Sequence, residues 1–170
     1  MVKLNTRSLA VCASISALYV VLTMGFGIIS YGPIQVRFAE ILNLLAFFNP
    51  VFIVAITAGV LVANAFSPFG VVDMAFGSLA SFISLVLVWL SAKYGWGLFV
   101  ASLWPIIVNA IIIPFVILYG MQTPITINTY LPFAVSVGTG QAIALLAMAY
   151  PLFRYLQKNH PSIIDMISNF

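Results

Sequence analysis

The chain has 170 residues, 64% of them hydrophobic and 5% charged, with a mean hydropathy of +1.19. A soluble domain carries about 25% charged residues, and a water-facing surface cannot be assembled from so few, so the outer surface must face lipid. The net charge of +3 does not make a nucleic-acid surface, and the single cysteine, Cys12, excludes an internal disulfide.

Crossing a bilayer takes about 20 apolar residues, so six crossings use most of the chain. The expected fold is therefore an all-α membrane protein, a six-transmembrane-helix bundle forming a single domain over residues 1–170. Lys3 and Arg7 precede an apolar run too long for the hydrophobic region of a signal peptide, so the first segment reads as a retained span.

That span covers residues 8–29. It holds Cys12, expected as a buried thiol, and two pairs of small residues at helical spacing, Ala10/Ser14 and Ala13/Ala17. Small residues let helix backbones approach closely in lipid. Here they can serve packing within the bundle or docking of a partner protein.

A polar interruption over residues 30–40 includes Tyr31, Pro33, Gln35, Arg37 and Glu40. Arg37 and Glu40 are three apart and share a helix face. Ionisable residues at a membrane are costly and mark candidate sites. The pair can be a salt bridge that shapes the loop, and it can also hold Glu40 ready for a ligand. Tyr31 and Gln35 add an aromatic wall and an amide.

The second span is short, residues 33–48, and ends at the turn signal Asn49-Pro50. The third covers residues 51–66, with a small-residue stripe at Ala55, Gly59 and Ala63, and Asn64 near its end. Because both are short, a four-span alternative stays open, with this pair as one re-entrant hairpin. A loop over 67–73 leads to Asp73, readable as a helix N-cap or as a ligand contact.

The fourth span covers residues 74–92, and a turn at 93–95 leads to the fifth at 96–119. Pro105 and Pro114 lie inside the fifth, each removing a helical hydrogen bond. Asn109 of the fifth span and Gln141 of the sixth (residues 131–156) both come near the midplane at ~1.5 Å per residue. They can bond to each other or point into a pocket that opens outward. Trp104 can floor such a pocket or simply pack. The sixth span has its own stripe, Ala134, Gly138 and Ala142.

Charge placement sets the orientation. With the N-terminus inside, Lys3, Arg7, Lys93, Arg154 and Lys158 fall on the cytoplasmic side and only Arg37 falls outside, as the positive-inside rule requires. Both termini are then cytoplasmic, and Glu40, Asn64, Asp73, Asn109 and Gln141 gather in the outer half. Apolar walls with a few placed polar groups make a small-molecule site.

Catalytic machinery is not expected. The one histidine, His160, lies in the tail. No paired histidines are spaced for a metal, no nucleophile–base pair stands out, and no Gly-rich phosphate loop would let the chain use a nucleotide. The expectation is a protein that is not an enzyme and carries no cofactor.

The segment Tyr-Gly-Pro-Ile-Gln-Val-Arg-Phe-Ala-Glu at residues 31–40 resembles the substrate-binding S-components of energy-coupling factor (ECF) transporters, and within them the group assigned to queuosine precursors. The likeness extends over nearly the whole chain in length and number of spans. It implies a subunit of an ATP-driven importer in the cell membrane that captures a 7-deazaguanine such as preQ0 or preQ1 from outside. It would then associate with a transmembrane coupling subunit and two ATPase subunits. The resemblance carries Arg37 and Glu40 as site residues, and it makes Ala13/Ala17 similar to an Ala-xxx-Ala docking motif. Asp73, Asn109 and Gln141 rest on their own chemistry. An S-component for another vitamin and a non-transporting membrane assembly protein are the alternatives.

Overall fold

The computed structural model describes residues 6–30 and 36–169, and among these every regular element is a helix. The first helix, α1, spans Thr6–Gly25 and is followed by one helical turn, Gly27–Ser30. Then come α2 (Phe38–Phe48), α3 (Val51–Asn64), α4 (Gly70–Lys93), α5 (Gly97–Gly120), α6 (Ile127–Asn159) and α7 (Pro161–Ser168).

Each of the six apolar segments of the sequence carries a helix among the described residues, but they differ in reach. α1, α4, α5 and α6 have 20, 24, 24 and 33 residues and are apolar enough to cross a membrane. α3 has 14 residues, about 21 Å at 1.5 Å per residue, short of the ~30 Å hydrocarbon core. α2 is shorter still and starts at Phe38 rather than at residue 33. Its first part, Phe38–Leu44, is wound as a 3-10 helix before Leu45–Phe48 turns α-helical. A 3-10 helix rises about 2.0 Å per residue, so the tighter winding stretches a short apolar run over more depth.

Several other boundaries move for identifiable reasons. α4 begins at Gly70, in the left-handed conformation (φ +56°), so Asp73 lies inside the helix and is not its N-cap. α6 begins at Ile127 because Thr126 and Thr129 form a reciprocal capping box. The polar tail is not irregular. His160 ends α6, and Pro161 starts α7 at the position where a missing N–H costs nothing.

α3 lies at the centre. Phe52, Ile56 and Val60 are at most 1% exposed, and Ala55, Gly59 and Ala63 are buried with them. A Cβ on Gly59 would sit 2.8 Å from the Ser16 carbonyl oxygen and 3.0 Å from Tyr19 Cβ. α1 and α3 therefore meet almost backbone to backbone, and the Ser16 hydroxyl donates across the seam to the Ala55 carbonyl. Gly138 of α6 makes an ordinary contact with Ala110 of α5, at 3.5 Å from its would-be Cβ.

α5 continues through both prolines. Pro114 leaves the Ala110 carbonyl without its helical donor, and Tyr130 of α6 covers the gap. Its hydroxyl donates to the Ile111 carbonyl at 2.8 Å and reaches that of Ala110 at 3.5 Å. Two π-helical segments interrupt the long helices, Asp73–Gly77 in α4 and Ile143–Ala149 in α6. Asn49 bridges the α2–α3 turn and the last turn of α7.

Candidate functional site

Arg37 precedes α2 in extended backbone, and the residue is only 5% exposed. It donates from Nη1 to Asn64 Oδ1 at 3.0 Å, and its Nη2 pairs with Asp73 Oδ2 at 3.5 Å. Asn64, at the end of α3, in turn donates from Nδ2 to the backbone carbonyl of Asp73 at 3.2 Å. One guanidinium thus ties the approach to α2, the end of α3 and the start of α4. The carboxylate that the ion pair joins to Arg37 is Asp73, thirty-six residues on, and not Glu40, three residues on.

Gly77 makes this arrangement possible. A Cβ there would lie 2.3 Å from Asp73 Oδ1 and 2.8 Å from Asn64 Nδ2. The bare helix surface at Gly77 is the space into which both side chains fold. Asp73 Oδ2 meets Arg37, while Oδ1 is buried without a partner. The π-winding that begins at Asp73 belongs to a type of irregularity often found at functional sites.

Glu40 has a separate set of partners. It is 1% exposed, and the Tyr19 hydroxyl donates to its Oε1 at 2.8 Å. Asn43 Nδ2, one helical turn on, donates to Oε2. Tyr19, Glu40 and Asn43 thus form a second buried polar set, alongside that of Arg37, Asn64 and Asp73. Each carboxylate oxygen can accept two bonds, so both acids keep acceptor capacity. Asn43 Oδ1 is buried without a partner as well.

Tyr19 and Asn43 were missed in the sequence. The signal for Tyr19 was a lone phenol deep in an otherwise aliphatic and small-residue helix. The signal for Asn43 was its spacing of three from Glu40, which puts the two on one face.

The other expected site residues are distributed unevenly. Asn109 is 3% exposed and its Nδ2 has no partner. Gln141 is 4% exposed and its Oε1 has none. Of the two arrangements the sequence left open, the bond between the two amides is not formed. Gln141 sits two residues before the π segment Ile143–Ala149, and that segment packs against the Phe38–Leu44 stretch carrying Glu40 and Asn43. Trp104 is not brought to the cluster. Its indole donates to Ser91 Oγ at 2.9 Å, near the Lys93 end of α4, and packs beside Trp96. Tyr31 and Gln35 lie outside the described residues.

Ala10, Ala13, Ser14 and Ala17 are all exposed along one side of α1. The Ser14 hydroxyl is turned back onto the Ala10 carbonyl at 2.9 Å, so this side presents small, self-satisfied groups. Cys12 is half-buried against the core.

The family model described as QueT transporter matches residues 9–158. The chain is 45% identical over 89 residues to the queuosine precursor transporter QueT of Lactococcus lactis subsp. cremoris (strain MG1363). That match takes in 51% of this chain and 52% of the relative, so it spans about half the length of the relative. No solved structure matches.

Proposed function

The chain belongs to the QueT transporter family, and from that premise we propose that it is the substrate-capturing S-component of an ECF importer for a 7-deazaguanine queuosine precursor. The observation that carries the substrate reading is the set of buried polar atoms without partners. Asp73 Oδ1, Asn43 Oδ1 and Gln141 Oε1 offer acceptors, and Asn109 Nδ2 offers a donor. The guanine-type edge of such a base has two adjacent N–H donor groups and one carbonyl acceptor. Asp73 accepts the donors, a charge-assisted contact, and Asn109 serves the carbonyl. Glu40, fixed by Tyr19 and Asn43, takes a further donor.

In this reading the helices cross the membrane an even number of times. The short α2–α3 pair counts either as two thin spans or as one re-entrant hairpin, and in both cases the two termini share a side. Arg7, Lys93, Arg154 and Lys158 make that side the cytoplasm, which places the Arg37–Asp73 cluster toward the outside. The exposed small residues Ala10, Ala13, Ser14 and Ala17 form the face that docks on a transmembrane coupling subunit. Two ATPase subunits supply the energy.

Calorimetry on purified protein with 7-cyano- and 7-aminomethyl-7-deazaguanine tests the substrate. Tight binding of at least one is expected. Binding of a different vitamin, with neither deazaguanine bound, would replace the substrate and leave the S-component reading in place. Glu40→Gln keeps size and removes charge, and it should weaken binding by about 1.5 kcal/mol or more. Unchanged affinity in the folded variant would reduce Glu40 to a residue that shapes the approach to α2. The rival of a membrane assembly protein without a ligand calls for Asn109 joined to Gln141, and both amides have atoms without partners.

A further inference from the structure

All three tryptophans of the chain, Trp89, Trp96 and Trp104, lie within about two helical turns of the connection between α4 and α5. Lys93 ends α4 there and is exposed. Its Nζ sits 5.3 Å from the centre of the Trp89 ring and 5.7 Å from that of Tyr94. Tyr94 stacks on Trp96 with 5.7 Å between ring centres, and Trp96 meets Trp104 at 6.2 Å. This aromatic platform is fixed from behind. Trp89 and Trp104 pack on the core, and the Trp104 indole donates to Ser91 Oγ at 2.9 Å. Gly95 and Gly97, at φ +71° and +85°, carry the backbone through the left-handed turn between the helices. Tyr94 and Trp96 are left exposed.

The depth of the platform follows from α4. Lys93 comes twenty residues after Asp73, about 30 Å along the helix at 1.5 Å per residue, which matches the hydrocarbon thickness of a bilayer. Lys93 therefore stands at the membrane–water boundary opposite the Arg37–Asp73 cluster, at the level where Trp and Tyr rings concentrate. We propose that Lys93, Trp89, Tyr94 and Trp96 form a site for one anionic phospholipid headgroup. An ammonium has three N–H donors. The two ring faces attract one side of it, and among the described residues no carboxylate pairs with it. The remaining donors are open to a phosphodiester oxygen. A zwitterionic headgroup brings its own cation beside the phosphate, whereas an anionic headgroup leaves that place to Lys93. The exposed rings of Tyr94 and Trp96 lie against the glycerol and the first methylenes of the lipid chains. A free phosphate ion would leave those rings uncovered, so the occupant is the lipid.

The test uses the full chain in phosphatidylcholine nanodiscs that contain either brominated phosphatidylglycerol or brominated phosphatidylcholine, with bromines near the headgroup end of the chains. Quenching of tryptophan fluorescence reads which lipid sits at the platform. The wild type should prefer phosphatidylglycerol about fivefold, the weight of one basic residue at an anionic surface. Lys93→Gln should bring the two lipids level, and Lys93→Arg should restore the preference. Lys158→Gln removes an exposed cation near the end of α6 and should leave the preference in place. Equal quenching by the two lipids in the wild type overturns the site. So does a loss in Lys158→Gln as large as that in Lys93→Gln, which would mark a diffuse attraction to the anionic surface. Abolition of the preference by inorganic phosphate, at an ionic strength where chloride has no effect, would overturn the lipid in favour of a free anion. If Lys93→Gln keeps the lipid preference but no longer co-purifies with a partner membrane protein, the platform belongs to that protein instead.

Discussion

Ala55, Gly59 and Ala63 of α3 are all buried, whereas Ala10, Ala13, Ser14 and Ala17 of α1 all face outward. Both sets repeat small residues at helical spacing. In lipid there is little hydrophobic drive between helices, and small residues gain contact by letting backbones approach. The pattern thus encodes a capacity for close approach and leaves the partner open. On α3 that capacity is spent inside the fold, where Gly59 receives the Ser16 and Tyr19 side of α1. The opposite side of α1 keeps it unspent, which fits the docking role proposed for it.

Three substitutions test this division, from the largest expected effect to the smallest. Gly59→Ala places a methyl group 2.8 Å from the Ser16 carbonyl, and the backbones must part. A loss of about 1–3 kcal/mol is expected from such overpacking, read by unfolding in detergent. Unchanged stability would mean that the α1–α3 seam does not hold α1. Ser16→Ala removes the hydroxyl bridge to Ala55. Interhelical bonds of this kind average about 0.6 kcal/mol in membranes, so a small drop in unfolding midpoint should appear. Ala13→Leu with Ala17→Leu should change stability by no more than about 0.5 kcal/mol, as at other surface positions, while co-purification with the coupling subunit is lost. Strong destabilisation with assembly intact would show that the outer face of α1 packs within the bundle.

Much of the helical layout could be read from the sequence because apolar runs bounded by Asn-Pro, Gly and Lys leave few alternatives. The failures have physical causes. The second apolar segment was too short for periodicity to distinguish α from 3-10 winding, and its regular part begins only at Phe38. Asp73 read as an N-cap because acids favour helix starts, yet Gly70 starts the helix three residues earlier. Arg37 and Glu40 read as a pair because local spacing is visible in a sequence. The pairing with Asp73 depends on where α3 and α4 meet, which spacing cannot show. Asn109 and Gln141 were legible as amides deep in their spans, and both are buried. Trp104 was placed in the same pocket by depth alone, and its bond to Ser91 puts it elsewhere.

Asn49 carries a consequence for the order of assembly. Its side-chain oxygen accepts from Val51 N at 3.0 Å, and its Nδ2 donates to the carbonyls of Ile167 and Ser168 at 3.4 and 3.2 Å. The turn between α2 and α3 is thus clasped by residues more than a hundred positions later. Ile164 and Ile167 pack on the core beside it. Chains are made from the N-terminus at roughly 5–20 residues per second, so Asn49 waits several seconds for its partners. The α2–α3 turn is therefore made unfastened, and the clasp closes only when synthesis has passed residue 168.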